Sequence, residues 1–262
     1  MDVFQALILA VLQGLTEWLP VSSSGHLAIA QQLMGTGPQV LFDIFLHFGT
    51  LIAAVAFFWN DLWKMAKSVF RLDFKSEHGR LFLFMVIASV PTAIIGFSFK
   101  GFFEGMFSSM PMIGGALIIT GIALLLSERF RMKGKTLGVF QSLIIGIAQG
   151  IAVAPGISRS GATISAGLAL GIDKETAARF SFLILIPAVL GATIFELKDA
   201  MEIRQAVDPL LIAAGTAMSA IVGYIAMRAF LGFVKKGKLD VFAYYCLALG
   251  AITVIASLTG ML

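Results

Sequence analysis

Pro20-Val21-Ser22-Ser23-Ser24-Gly25-His26 interrupts an apolar region that otherwise runs from 3 to 35. Pro155-Gly156-Ile157-Ser158-Arg159-Ser160-Gly161 interrupts another, from 137 to 171. Each region reads as two helical pieces around a polar break. Placing residue n over n+136 puts Gln13-Gly14-Leu15 on Gln149-Gly150-Ile151, and Val21-Ser22-x-Ser24-Gly25 on Ile157-Ser158-x-Ser160-Gly161. The prolines, Pro20 and Pro155, fall one position out of step. This is an internal repeat, and Ala93-Ile94-Ile95-Gly96-Phe97 over Ala220-Ile221-Val222-Gly223-Tyr224 is its fainter continuation.

Outward from the breaks, six apolar stretches at about 41–59, 81–99, 111–127, 179–197, 210–231 and 241–260 match the 17–25 residues that a helix needs to span a bilayer. The 262 residues are 58% hydrophobic and only 13% charged, far from the balance of a soluble domain, and the charges are bunched between the apolar runs. The fold class expected is all-α: a polytopic membrane protein with about six full spans plus two re-entrant hairpins. A first repeat covers 1–136 with its hairpin at 3–35, and a second covers 137–262 with its hairpin at 137–171, in one integrated membrane domain. Each copy crosses three times, so the second copy is expected upside down.

Charge decides between hairpins and single crossings. If both broken regions return to the side they entered, the connections near 60–80, 128–136, 172–179 and 228–238 share a face and hold 15 Lys and Arg, against 3 near 100–110 and 197–209. If each crosses once, the split is 11 to 8. The first arrangement is expected, with both termini outside the cytoplasm. The second pieces, near 24–35 and 160–171, rise only about 18 Å at 1.5 Å per residue, which favours re-entrant hairpins over full crossings of a core about 30 Å thick. No Lys or Arg precedes Lys64, so the first helix is expected to be retained rather than cleaved as a signal peptide. The net charge of +4 belongs to this topology; no basic stripe is interleaved with aromatics, and no nucleic-acid partner is expected. The single cysteine, Cys246, sits in an apolar run and is expected to be filler.

Non-helical backbone at membrane depth survives only where protein or a water-filled cavity satisfies it, so two breaks in matching positions point to one shared central site. A helix restarting at Ser24-Gly25-His26 and another at Ser160-Gly161-Ala162 present N–H groups suited to a phosphate. Arg159 is costly in a membrane unless it meets an anion. Glu17 and His26 offer acid–base or metal-ligand chemistry, and Ser22, Ser23, Ser24, Ser158, Ser160 and Thr163 offer hydroxyls, with Gly25 and Gly161 allowing close approach. The plainer alternatives are serines acting as N-caps, and Arg159 and Glu17 pairing with each other. His47 is assigned to helix packing and His78 to a solvated loop. No zinc spacing, Walker A sequence or nucleophile elbow occurs.

Gln13-Gly14-Leu15-Thr16-Glu17-Trp18-Leu19-Pro20-Val21-Ser22-Ser23-Ser24-Gly25-His26 and Pro155-Gly156-Ile157-Ser158-Arg159-Ser160-Gly161-Ala162-Thr163-Ile164 resemble the two signature motifs of the undecaprenyl-diphosphate phosphatase family, the bacitracin-resistance type. The resemblance covers essentially the whole chain. It implies an integral enzyme of the cell membrane that hydrolyses a C55 polyprenyl diphosphate to the monophosphate carrier used in cell-wall synthesis, with a site open to the outer face. It implies catalytic roles for Glu17, Ser23, His26 and Arg159, and a divalent cation, Mg or Ca, held by Glu17 and the residue at position 13. That residue is Gln13 here, where the family pattern allows Glu, which removes one carboxylate from any two-glutamate metal scheme. Ser23, His26 and water are all open as nucleophiles. The partners expected are the lipid substrate and the bilayer, and a homodimer is compatible. The competing class is a transporter or flippase of the carrier lipid, since inverted repeats with broken helices are also transporter architecture.

Overall fold

The computed structural model describes residues 1–130, 134–203, 208–235 and 237–262, with the side chains of 196–203 outside the description. Among these residues the regular structure is all helical: α1 (Val3–Thr16), α2 (Ser23–Leu33), α3 (Val40–Phe57), α4 (Trp59–Phe70), α5 (Glu77–Ser98), α6 (Lys100–Met106), α7 (Met110–Arg129), α8 (Val139–Ile151), α9 (Arg159–Ala169), α10 (Lys174–Ile203), α11 (Pro209–Val234) and α12 (Asp240–Leu258). Six of them, α3, α5, α7, α10, α11 and α12, are long and apolar enough to cross a membrane, and they fall on the six apolar stretches of the sequence. Arg131, Lys133, Arg204 and Lys236, four of the cations weighed in the charge count, lie outside the described residues.

Two connections hold more structure than their composition suggests. α4 mixes Trp59, Trp63 and Phe70, all well exposed, with Asp61, Lys64 and Lys67, and buries only Met65. Too polar to span, it is still a helix because its apolar and charged residues separate onto faces. The short α6 occupies most of the connection near 100–110.

Both broken regions fold as expected of the sequence, a helix, a turn and a second helix. α1 starts from a capping box in which Asp2 accepts from the Gln5 N–H at 2.8 Å and Gln5 accepts from the Asp2 N–H at 2.9 Å. It packs on α2, and α8 packs on α9. The long-range packing of the two hairpins is reciprocal. Gly14 of α1 faces α11, where an added Cβ would stand 2.8 Å from Val222, and Gly150 of α8 faces α5, where one would stand 2.9 Å from Ile95. Gly14 and Gly150 are equivalent in the repeat, and so are Val222 and Ile95, so each copy's hairpin leans on the other copy's span. Small residues are what let helices approach this closely where lipid supplies no hydrophobic drive.

The connections rich in cations meet at one end. Arg179 binds Asp61 at 2.9 Å, Lys174 pairs with Glu128 and donates to the Gly237 carbonyl at 3.0 Å, and Lys235 reaches Glu175 at 2.9 Å. The four segments therefore lie together. At the centre, Trp18 of the first break is fully buried and meets Phe182 edge to face with centroids 5.0 Å apart. Phe180, Ile184, Leu185 and Phe230 extend this core around the point where the breaks converge.

Candidate active site

The two breaks end in the same cap. Ser22 Oγ accepts the Gly25 N–H at 3.3 Å, and Ser158 Oγ accepts the Gly161 N–H at 3.0 Å. The carbonyls of the same two serines accept from His26 (3.2 Å) and Ala162 (2.8 Å), and Ser24 and Ser160 set their hydroxyls 3.4 and 3.3 Å from the cap oxygens. Each break also turns through a positive φ, Ser22 at 69° and Gly156 at 91°. A serine held there is strained, as backbone at functional sites often is. The capping reading of Ser22 and Ser158 is thus what the structure displays.

The caps touch each other. Ser160 Oγ donates to the Leu19 carbonyl at 2.9 Å, tying the start of α9 to the first break. Sites separated by 136 residues in sequence are one place in the fold.

The ionisable residues stand where the copies differ. Position 17 is Glu and its equivalent 153 is Val; 26 is His and 162 is Ala; 23 is Ser and 159 is Arg. Ser23 and Arg159, each the first residue of its helix, come to the same carboxylate. Ser23 Oγ donates to Glu17 Oε2 at 2.5 Å, and an Arg159 Nη donates to Glu17 Oε1 at 2.8 Å. Arg159 also donates to the Ser181 carbonyl at 3.0 Å, using two of its five N–H groups. Gln13 Nε2 donates to Glu17 Oε2 at 2.9 Å. With side chains only 6% and 15% exposed, Glu17 and Arg159 are a buried pair in which removal of either leaves an uncompensated charge.

His26 is buried at the other side of the Ser22 turn. Its Nδ1 lies 2.7 Å from the Ser22 carbonyl and its Nε2 lies 2.7 Å from the Tyr245 hydroxyl on α12. Thr163 is fully buried and donates to the Arg159 carbonyl at 2.7 Å, with Ser181 Oγ 2.6 Å away, so its hydroxyl braces the first turn of α9.

Sequence reading passed over three neighbours. His47, assigned to packing, places Nε2 3.8 Å from Glu17 Oε2. Thr50, one turn on, lies 3.5 Å from Gln13 Nε2. Tyr245 looked like one more residue of an apolar span. The one available signal was His47 itself, a polar ring inside an otherwise apolar helix. His78, assigned to a solvated loop, instead stands 3.9 Å from Asp61.

A divalent cation would find oxygen donors here. Gln13 Oε1 is buried without a hydrogen-bond partner, next to the Glu17 carboxylate and the Ser23 hydroxyl. Hard oxygen donors of this kind suit Mg or Ca. Among the described residues no three His, Cys, Asp or Glu gather to hold a metal by themselves, so further ligands would be hydroxyls, carbonyls, waters or phosphate oxygens.

Residues 6–252 match the protein family described as bacitracin resistance protein BacA. The chain is 43% identical over 260 residues to an undecaprenyl-diphosphatase of Halothermothrix orenii, covering 97% of this chain and 98% of that one. It is 46% identical over 256 residues to an undecaprenyl-diphosphatase of Syntrophotalea carbinolica, covering 95% and 97%. A protein of the same name from Methanosphaera stadtmanae is 39% identical over 274 residues, covering 98% and 99%.

Proposed function

The chain belongs to the BacA family of bacitracin resistance proteins, and from that premise we propose that the two converging breaks are the catalytic centre of an undecaprenyl-diphosphatase. The protein is a multi-pass membrane hydrolase that converts undecaprenyl diphosphate to undecaprenyl phosphate and inorganic phosphate, returning the carrier lipid to cell-wall synthesis. The observation that carries the assignment of the site is Glu17, one carboxylate holding a hydroxyl, Ser23, and a guanidinium, Arg159, at the junction of the breaks.

Each part has a task. Glu17 takes the Ser23 proton as Ser23 Oγ attacks the terminal phosphorus; the Oγ–P bond forms and the bond to the bridging oxygen breaks, releasing the polyprenyl monophosphate. Water then hydrolyses the phosphoserine, with Glu17 returning the proton to Ser23 and His26 accepting the one lost by water. Arg159 transfers N–H bonds from Glu17 and Ser181 to the equatorial phosphate oxygens, joined by the leading N–H groups of α2 and α9. A divalent cation held by Glu17 and Gln13 Oε1 would add charge neutralisation at the diphosphate. A carrier of the lipid has use for Arg159 and hydroxyls, but not for a serine hydrogen-bonded to a carboxylate, so the contact favours hydrolysis over transport.

Topology follows the charges. The end holding the cation-rich connections faces the cytoplasm, the two copies have opposite orientations, and the hairpins are re-entrant from opposite sides of the cell membrane. The site then opens to the extracytoplasmic side. Arg159→Ala is the test: purified in detergent, it should lose about 10²–10³ in phosphate release from a polyprenyl diphosphate while remaining folded. Near-normal turnover would remove the site from this junction.

A further inference from the structure

The imidazole of His26 is gripped at both nitrogens. A carbonyl oxygen can only accept, so the 2.7 Å contact with the Ser22 carbonyl puts a hydrogen on Nδ1. In the neutral ring Nε2 then carries the lone pair, and the Tyr245 hydroxyl, 2.7 Å away, is its donor. The rings also stack, 7° from parallel with centroids 5.6 Å apart. His26 is 8% exposed and Tyr245 46%, so the phenol stands between the buried ring and the exterior of the bundle.

We propose that Tyr245 is a positioning residue for hydrolysis: with the Ser22 carbonyl it fixes the tautomer and plane of His26 at rest, keeping Nε2 as the unprotonated nitrogen, and its hydroxyl gives up that hydrogen bond when Nε2 takes the proton lost by water. The inference rests on the proton-transfer role given to His26 above. The grip has two independent origins. Ser22 belongs to the strained turn before α2, whereas Tyr245 comes from α12, 219 residues further along the chain. The backbone of the turn sets one nitrogen, and the phenol sets the rotation about the bond that would otherwise let the ring swing. Cys246 beside it packs against the same break, 3.5 Å from the Pro20 carbonyl, which holds this stretch of α12 in register with the turn.

Tyr245→Phe keeps the ring and removes only the hydroxyl. It should lower kcat on farnesyl diphosphate about tenfold, the scale of one lost orienting hydrogen bond, with KM and thermal midpoint essentially unchanged. His26→Gln should be nearly inactive, and adding Tyr245→Phe to it should cost nothing further, since Tyr245 acts only through His26. In protein labelled with [15N]histidine, the Nε2 resonance that disappears in His26→Gln should move in Tyr245→Phe. Wild-type kcat in Tyr245→Phe beside an inactive His26→Gln would overturn the role of Tyr245 alone, and so would a further loss in the double variant. Full activity in His26→Gln would overturn the reading of His26, and this inference with it.

Discussion

Gly25 and Gly156 stand face to face where the two breaks meet: a Cβ added to Gly25 would lie 3.2 Å from the Gly156 Cα. Helix starts bearing a hydroxyl and a guanidinium reach one carboxylate only because neither backbone carries a side chain at this crossing. The two glycines differ in a way that separates stability from activity. Gly156 has φ of 91° and its Cβ would also meet the Ala116 Cβ at 2.8 Å, so alanine there is both strained and overlapped. Gly156→Ala should lose several kcal/mol and much of its folded yield, by analogy with overpacking and left-handed backbone costs of about 1–3 kcal/mol each. Gly25→Ala has ordinary backbone and should fold, but with the breaks pushed apart its phosphate release should drop sharply. Gly115→Ala, with open space around it, is the control. Size-exclusion profiles, thermal midpoints and phosphate release on the three variants check this.

Glu17 is asked both to take the Ser23 proton and to hold Arg159 in place. Glu17→Gln keeps shape but has one acceptor oxygen for the donors of Ser23, Gln13 and Arg159, and it removes both the base and the charge opposite Arg159, so turnover should fall by at least about 10²–10⁴, the range for a positioned general base. Ser23→Ala should fall at least as far and should yield no phosphorylated protein when a short polyprenyl diphosphate is rapidly quenched. Wild-type turnover in Ser23→Ala would transfer the attack to water.

The spans and the breaks were legible because they are written in composition and in a repeat of 136 residues. The repeat even sorts the motif: what the copies share, Ser22 with Ser158 and Gly25 with Gly161, is capping, and what they do not share are the residues to which the proposed mechanism gives the chemistry. Thr163 illustrates the limit. Its position beside Arg159 suggested phosphate binding, but helical geometry aims its hydroxyl back at the Arg159 carbonyl and at Ser181. Tyr245 was not legible as a site residue, because nothing local distinguishes it, and His47 offered only a polar ring in an apolar helix; both arrive through packing of α12 and α3, at separations that periodicity does not encode. α4 was hidden for another reason, since an amphipathic helix of mixed charge has the composition of a loop.

Gln13 gives a prediction about metal dependence. Its amide N–H now stabilises Glu17, whereas a carboxylate there would repel it at the same distance. Gln13→Glu should therefore be poorly active and less stable in the presence of a chelator, and should bind Mg or Ca about tenfold or more tightly than the wild type, the equivalent of ~1.4 kcal/mol. Thermal midpoints titrated with each ion, alongside phosphate release, measure both effects. Identical metal response in the two proteins would place any cation away from position 13.

Asp173 offers a test of the fold that leaves the site untouched. It caps α10: its carboxylate accepts the Thr176 N–H at 2.9 Å, and its carbonyl accepts the Ala177 N–H at 2.9 Å. Partial burial works to raise its pKa, but hydrogen bonds from Thr176 and from the backbone of Asp173 and Glu175 win, and hold it below the usual carboxylate value. A group with a depressed folded pKa contributes stability that is complete above its unfolded pKa, about 3.9, and is lost as pH falls through the lower folded value. Asp173→Ala should thus cost about 1 kcal/mol at neutral pH, in the range for a lost N-cap, and leave phosphate release nearly unchanged. The gap in thermal midpoint between variant and wild type should persist from pH 8 to about pH 5 and close as pH drops below about 3.9, because the protonated wild-type side chain no longer offers its charge to the helix N-terminus. A gap that stayed constant to pH 2 would mean that the side chain acts through packing and not as a charged cap.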